Sequence, residues 1–322
     1  MSVRWAYAIN QWKPQFDDFV RREQHERALK TISIAGFEGV ELTAGTGRWE
    51  PLGNPQQLAA NFGSVAGFGD FVRSCALDAV SSWFWDPHER SMEHLTGPLS
   101  TDDVPGLVER ARWYAGALAE LGGSVLVVPG APAAGDAELD DAALDRLGAA
   151  WSAVGEAVAQ DGVRLALHVD FLSALRRPGA LDGLLARTDV GLALDTGELT
   201  AAGIDPLGVI ERHGDRIAHV QLKDALAVDS DEEYLQPAAH WTVRVRGGAR
   251  EVRWFAEPGA DGGLVDVPAV VRALLSAGYE GWIVVESDQS PHPAQSCLES
   301  GYLLQRELRP LVPTGALSGS RS

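Results

Sequence analysis

Short apolar runs of five to eight residues alternate along this chain with longer stretches whose apolar positions recur every three or four residues. Eight such runs stand out: RWAYAIN (4–10), GVELT (39–43), DAVSSWFW (78–85), SVLVVPG (124–130), RLALHVDF (164–171), GLALDTG (191–197), IAHVQLKD (217–224) and GWIVVES (281–287). Runs rich in Val, Ile and Leu and polar only toward their ends suit parallel strands buried on both faces. Between them lie amphipathic segments such as FDDFVRREQHERALKTISIAGF (16–37), VPGLVERARWYAGALAELG (104–122) and VDVPAVVRALLSAGY (265–279). Each places one apolar stripe on a helix and carries Gly near its end, where a helix stops. Eight repeats of strand then helix predict an α/β fold closed as a (β/α)8 barrel. The alternative, an open doubly wound sheet, carries a glycine fingerprint after its first strand. Here the first run leads into NQWKPQFDDF, which has no glycine.

One domain over residues 1–312 accommodates the pattern, with loop insertions expected near 44–70 and 225–262. The tail PTGALSGSRS has the composition of a disordered end. A formal charge of −18 and a sequence pI near 4.8 repel phosphate backbones and anionic membranes, so neither nucleic acid nor a membrane is an expected partner. The same field disfavours a multiply phosphorylated substrate. No apolar run reaches the length of a membrane span, and MSVRWAYAINQW lacks the order of a secretory signal, so a cytoplasmic location is expected. Cys75 and Cys297 are far apart and in no metal-binding spacing. Ten tryptophans include Trp12, Trp49, Trp83 and Trp85 beside polar residues at strand ends. Flat aromatic faces there suit the C–H faces of a sugar, and packing is the competing use.

Candidate chemistry gathers at the ends of the last four runs. Strands of a barrel send alternate residues inward, and polar ones at their C-terminal ends meet at the top. His168 and Asp170 share a face of the fifth run, Asp195 ends the sixth before Thr196 and Gly197, His219, Gln221 and Lys223 share a face of the seventh, and Glu286 follows the apolar part of the eighth. Each alone has a structural explanation, as a helix cap, a hydrogen-bonded core histidine or an ion-pair partner. Their recurrence on four successive strand ends favours a site, because carboxylates buried there need a compensating cation or hydrogen-bond network. Two carboxylates, an imidazole and an amide oxygen make an oxygen-rich set suited to Mg2+, Mn2+ or a similar ion. Glu41, His219, Trp12, Trp83, Trp85 and His88 are the candidate substrate-binding residues.

The segments GVELT, LALHVDF, GLALDTGEL, RIAHVQLKDA and GYEGWIVVESDQ resemble the xylose isomerase-like TIM barrel superfamily of sugar isomerases and epimerases, near its inosose dehydratase and C-glycoside deglycosidase α-subunit branches. The resemblance implies one divalent metal, Mn2+ or Mg2+ first and Zn2+ or Co2+ as alternatives. Its ligands would be His168, Asp195, Gln221 and Glu286, with His219 as the alternative to Gln221 on the seventh strand, and with Lys223 and Asp224 matching the Lys-Asp pair beyond that strand. Three positions depart from the common pattern: His168 stands where Glu is usual, though some branches carry His, Glu198 follows Asp-Thr-Gly where His is usual, and Gln221 replaces the second His of the seventh strand, with the first retained as His219. An amide oxygen is neutral and a weaker ligand than imidazole for transition metals. The chemistry implied is proton abstraction beside a carbonyl of a keto-sugar, keto-inositol or oxidised glycoside through an enediolate, leading to isomerase, epimerase or lyase activity. His168, Lys223 and Glu198 are the candidate proton-transfer groups. A non-catalytic sugar-binding barrel subunit is the second reading and a metal-dependent endonuclease the third. Either a homo-oligomer or a hetero-oligomer is compatible with the sequence.

Overall fold

A computed structural model describes residues 3–12, 21–44, 52–87, 103–132, 139–230, 254–287, 290 and 292–313. Eight parallel strands close into one barrel: Arg4–Ala8, Gly39–Ala44, Ala79–Trp85, Val125–Pro129, Arg164–His168, Gly191–Asp195, Ile217–Leu222 and Trp282–Val285. They are called here the first to the eighth strand. Closure comes from the first strand pairing with the eighth, with Arg4 beside Trp282 and Tyr7 beside Val285. The fold is therefore the (β/α)8 barrel that the alternation of apolar runs predicts, each strand being shorter than or nearly equal to its run.

The helices begin where the sequence supplies caps. Asn54, Ser64, Asp103, Asp140, Asp205 and Asp266 each accept an amide hydrogen from the first turn of the helix that follows, which satisfies donors with no partner inside the helix. Residues 55–62 and 65–74, within or next to the first expected insertion, form two helices packed with the second and third strands. Part of the second insertion, 231–253, lies outside the described residues, as does the tail 314–322. The ends of that second segment pair as a short antiparallel ribbon, Asp224–Ala225 with Phe255–Ala256. Among the described residues no helix is long and apolar enough to cross a membrane.

Alternation along the strands separates two cores. Trp5, Tyr7, Val40, Leu42, Leu126, Leu165, Leu192, Val220 and Ile283 face the helices in one large cluster. The barrel interior is filled instead by small groups, Val125, Val127, Ala166, Ala193 and Ala218 in one cluster and Ala6, Ala8 and Val284 in another. Small interior side chains leave room above them for the polar residues at the strand ends.

Two irregularities in strand pairing set where those polar residues land. The second strand slips by one residue against the third, so that Glu41 lies beside Ser82 rather than Ser81. The sixth slips against the seventh, so that Ala193 lies beside His219 and Asp195 beside Gln221. A one-residue slip moves a side chain to the other face of a strand, so these bulges decide which residues meet inside.

Candidate active site

The chemistry is built around one ammonium group. Lys223, just past the seventh strand, is 1% exposed. Its Nζ lies 3.1 Å from Asp195 Oδ2, 3.0 Å from Glu198 Oε1 and 2.9 Å from Glu286 Oε1. The same group sits 4.3 Å from the ring centre of Phe255, a cation over an aromatic face. Phe171 and Trp254 pack around Phe255 in a small apolar cluster, so an aromatic roof lies next to the charged group. Three carboxylates around one ammonium in a water-poor setting interact far more strongly than at a surface.

The motif Asp-Thr-Gly explains how Lys223 is held. Asp195 ends the sixth strand and caps the short helix Thr196–Ala201, accepting the Glu198 amide hydrogen on Oδ1 at 2.9 Å. Its other oxygen, Oδ2, faces the Nε2 of His168 at 3.2 Å. Burial by itself would raise the Asp195 pKa, but Lys223, His168 and the Glu198 amide outweigh it and hold the carboxyl at about 2. The Thr196 hydroxyl donates to the Lys223 carbonyl at 2.6 Å and accepts from the Lys223 amide at 3.0 Å. Gly197 leaves space for the lysine stem, since a Cβ there would lie 2.5 Å from Lys223 Cγ. The two motifs thus interlock, one supplying the seat and the other the ammonium.

The remaining groups extend from that centre. Glu198 Oε2 accepts the Phe171 amide hydrogen at 2.8 Å, and Asn10 Nδ2 donates to Glu286 Oε2 at 3.3 Å. Deeper in the barrel, Glu41 accepts from His219 at 2.8 Å, from the Gln221 amide nitrogen at 2.7 Å and from the Ser82 hydroxyl at 2.7 Å. That arrangement leaves Gln221 Oε1 buried and without a partner, as is His168 Nδ1. Asp224 turns away from the cluster and accepts the amide hydrogens of Ala225, Gly259 and Val265, tying down the segment after the ribbon.

The structure thus brings together His168, Asp195, Glu198, Lys223 and Glu286, and below them Glu41, His219 and Gln221. Other expectations need correction. Trp83 and Trp85 face the helix layer and not the barrel interior: Trp83 packs edge-on against Tyr114 at 5.2 Å, and Trp85 stacks on Tyr114 at 5.1 Å. The residue of that strand on the site side is Phe84, with its ring 5.1 Å from that of His168. Trp12 packs edge-on against Tyr7, a residue of the outer core. Asp170 does not share the site with His168, because the strand ends at His168 and Asp170 Oδ1 accepts the Leu172 amide hydrogen in a turn. His88 and Trp49 lie outside the described residues. Asn10, Ser82, Phe84 and Phe255 also contact this candidate cluster and are not among the residues expected from the sequence. Ser82 and Phe84 alternate on one face of SSWFW, a signal outweighed by the tryptophans between and after them.

A divalent ion can be judged against this donor set. Its residue types fit: two carboxylates, an imidazole, and an amide whose oxygen is buried and unpartnered. Among the described residues, however, no three His, Cys, Asp or Glu side chains gather as a metal-holding group by themselves. The carboxylates that converge do so on the Lys223 ammonium.

Comparison with known proteins agrees with the fold. The family model of the xylose isomerase-like TIM barrel matches residues 29–304. A protein named inosose dehydratase from Lacticaseibacillus casei is 26% identical over 283 residues, covering 84% of each chain. Among solved structures, the probable 3-DHS dehydratase AsbF of Bacillus anthracis superposes with a TM-score of 0.68 at 13% identity, covering 94% of this chain and 98% of its own. A structure described as IOLI protein with a binding zinc atom superposes with a TM-score of 0.62 at 13% identity, covering 97% and 98%. With the family match spanning most of the chain and the barrel closed as that family requires, this chain belongs to the xylose isomerase-like TIM barrel family.

Proposed function

We propose that this chain is a lyase or isomerase that enolises a small polyhydroxylated carbonyl compound, a keto-inositol, a keto-sugar or an oxidised glycoside. The observation that carries the reading is the buried group of His168, Asp195, Glu198, Lys223 and Glu286 at the C-terminal ends of the fifth to eighth strands, the end where barrels of this kind place their chemistry. The relative named inosose dehydratase supports an enzyme acting on a sugar-like substrate.

The chemistry follows from charge. Removing a proton from the carbon beside a carbonyl moves the C–H electron pair into a C=C bond and pushes the carbonyl π pair onto oxygen. Lys223 stabilises that negative oxygen by charge and hydrogen bonding, in a setting where preorganised donors act strongly. A base takes the proton, and Glu198, which lies outside the set that would hold a metal, is the group able to do so, with His168 and Glu286 available only where no metal occupies them. Returning the proton to the opposite face completes an epimerisation. Donating one to a hydroxyl on the next carbon releases water and completes a dehydration. Asp195 anchors His168 and Lys223 and stays ionised throughout. A divalent ion held by His168, Asp195, Gln221 and Glu286 would polarise the substrate oxygen as a Lewis acid, taking over that role from the Lys223 ammonium.

The test is a panel of keto-inositols, ketoses and 3-keto glycosides incubated in deuterated water, with and without chelator. Label entering the carbon beside the carbonyl is the expected result. Stabilisation by a sugar without exchange would favour a binding subunit instead, and turnover of a phosphodiester without exchange would sink the reading.

A further inference from the structure

We propose that Lys223 is a built-in counter-cation that competes with a divalent metal for the same carboxylates, so that metal enters this site only by expelling the lysine ammonium. The inference rests on the reading of Asp195 and Glu286 as ligand positions. It goes beyond that reading by assigning to one side chain control over whether the metal binds.

Three separate features carry it. The first is distance. Asp195 Oδ2 and Glu286 Oε1 already lie 3.1 and 2.9 Å from Nζ. An ion bound to either oxygen at about 2.0–2.6 Å would stand within about 6 Å of that ammonium and draw on the same lone pairs. A dication and an ammonium so close in a buried site repel strongly. One cation must leave.

The second is that the seat for the ammonium is constructed. Glu198 supplies a third carboxylate at 3.0 Å, in the position after Asp-Thr-Gly, and Phe255 supplies an aromatic face at 4.3 Å. Gly197 clears the path of the stem, and Thr196 pins the Lys223 backbone through both its carbonyl and its amide. A lysine suits this seat because its ammonium is a compact, strongly hydrated point charge on a flexible stem, whereas arginine would bring a broad planar fork.

The third is the neighbouring ligand position. Gln221 gives its amide nitrogen to Glu41 and keeps only a neutral oxygen free, which strengthens a metal's hold less than an imidazole would. A weakened metal site beside a strengthened lysine seat shifts the competition toward the lysine.

The experiment compares the full-length wild type with Lys223→Met, which keeps the stem and removes the charge. Each is freed of metal and titrated with Mn2+ by calorimetry, with binding also followed by the electron paramagnetic resonance of free Mn2+. The expected result is binding at least tenfold tighter in Lys223→Met. A second measurement uses the wild type alone. Reductive methylation followed by mass spectrometry should find Lys223 protected without metal and labelled when Mn2+ saturates, with exposed Lys30 as the reference. A gain in affinity below tenfold in Lys223→Met, or no Mn2+ binding by either protein, overturns the proposal. If the variant does not fold, unchanged protection of wild-type Lys223 up to millimolar Mn2+ overturns it. Deuterium exchange in a substrate is read separately, so loss of the enolisation reading and loss of this one are distinguishable.

Discussion

Replacing Gly197 by alanine tests the interlock between the two motifs with the smallest change available. The added Cβ would lie 2.5 Å from Lys223 Cγ and 3.1 Å from its Cε, with the Asp224 carbonyl oxygen at 3.2 Å. Carbon atoms normally approach to about 3.5–4.0 Å, so the lysine stem must retreat by about 1 Å. If Nζ follows, its three contacts of 2.9 to 3.1 Å stretch to about 4 Å. At an effective dielectric constant of about 20, each pair then loses about 1.4 kcal/mol, which makes about 4 kcal/mol a ceiling for the three. Alanine gains about 1 kcal/mol over glycine within a helix, partly offsetting the loss. The expected net is a destabilisation of about 1–3 kcal/mol, the range of an overpacked core. For a chain of this length that is about 1–4 °C in melting temperature, measured beside urea unfolding at pH 7. Turnover should fall at least tenfold, because the ammonium no longer faces the developing oxyanion. Gly116→Ala is the control: it lies within the helix Val104–Glu120, and nothing stands within 4 Å of its added Cβ. If Gly197→Ala matches that control in both stability and turnover, Lys223 does not pass where the structure places it.

Two further predictions address charge. Asp195 has its pKa held at about 2 in the folded chain, below the ordinary value near 3.9. The depressed value contributes about 2 kcal/mol of stability that is complete above about pH 5 and is lost as pH falls through 2. Denaturant midpoints of metal-free protein from pH 6 to 2 should show this slope, and Asp195→Asn should flatten it. An unchanged slope in that variant would assign the acid sensitivity to other carboxyls. Glu41→Ala removes the acceptor shared by His219, Gln221 and Ser82, leaving three buried donors to find new partners. A loss of about 2–5 kcal/mol in unfolding free energy is expected, and a loss below 1 kcal/mol would show that these donors rearrange freely.

Much of this architecture was legible in the chain before any folding. The barrel follows from eight apolar runs spaced by amphipathic segments, because parallel strands buried on both faces must be apolar throughout and the helices covering them need only one apolar stripe. The same logic brought His168, Asp195, Lys223 and Glu286 to one end, since polar residues are tolerated in such strands only where they leave the core. Uniform apolarity also hides which face of a strand points inward. In SSWFW both faces are buried, so the choice between Trp83 and Phe84 for the site was set by pairing with the neighbouring strands. The bulges at Val40/Glu41 and Leu192/Ala193 shift register by one residue and leave no mark in composition. They decide that Glu41 meets Ser82 and Asp195 meets Gln221. Nor does the sequence order the charges. Asp195 and Lys223 are separated by 28 positions, and only closure of the barrel, with Gly197 making way for the lysine stem, turns four separated side chains into one ammonium among three carboxylates. Local patterning determines which faces are buried, whereas the pairing of buried polar groups depends on distances that exist only once the chain has closed on itself.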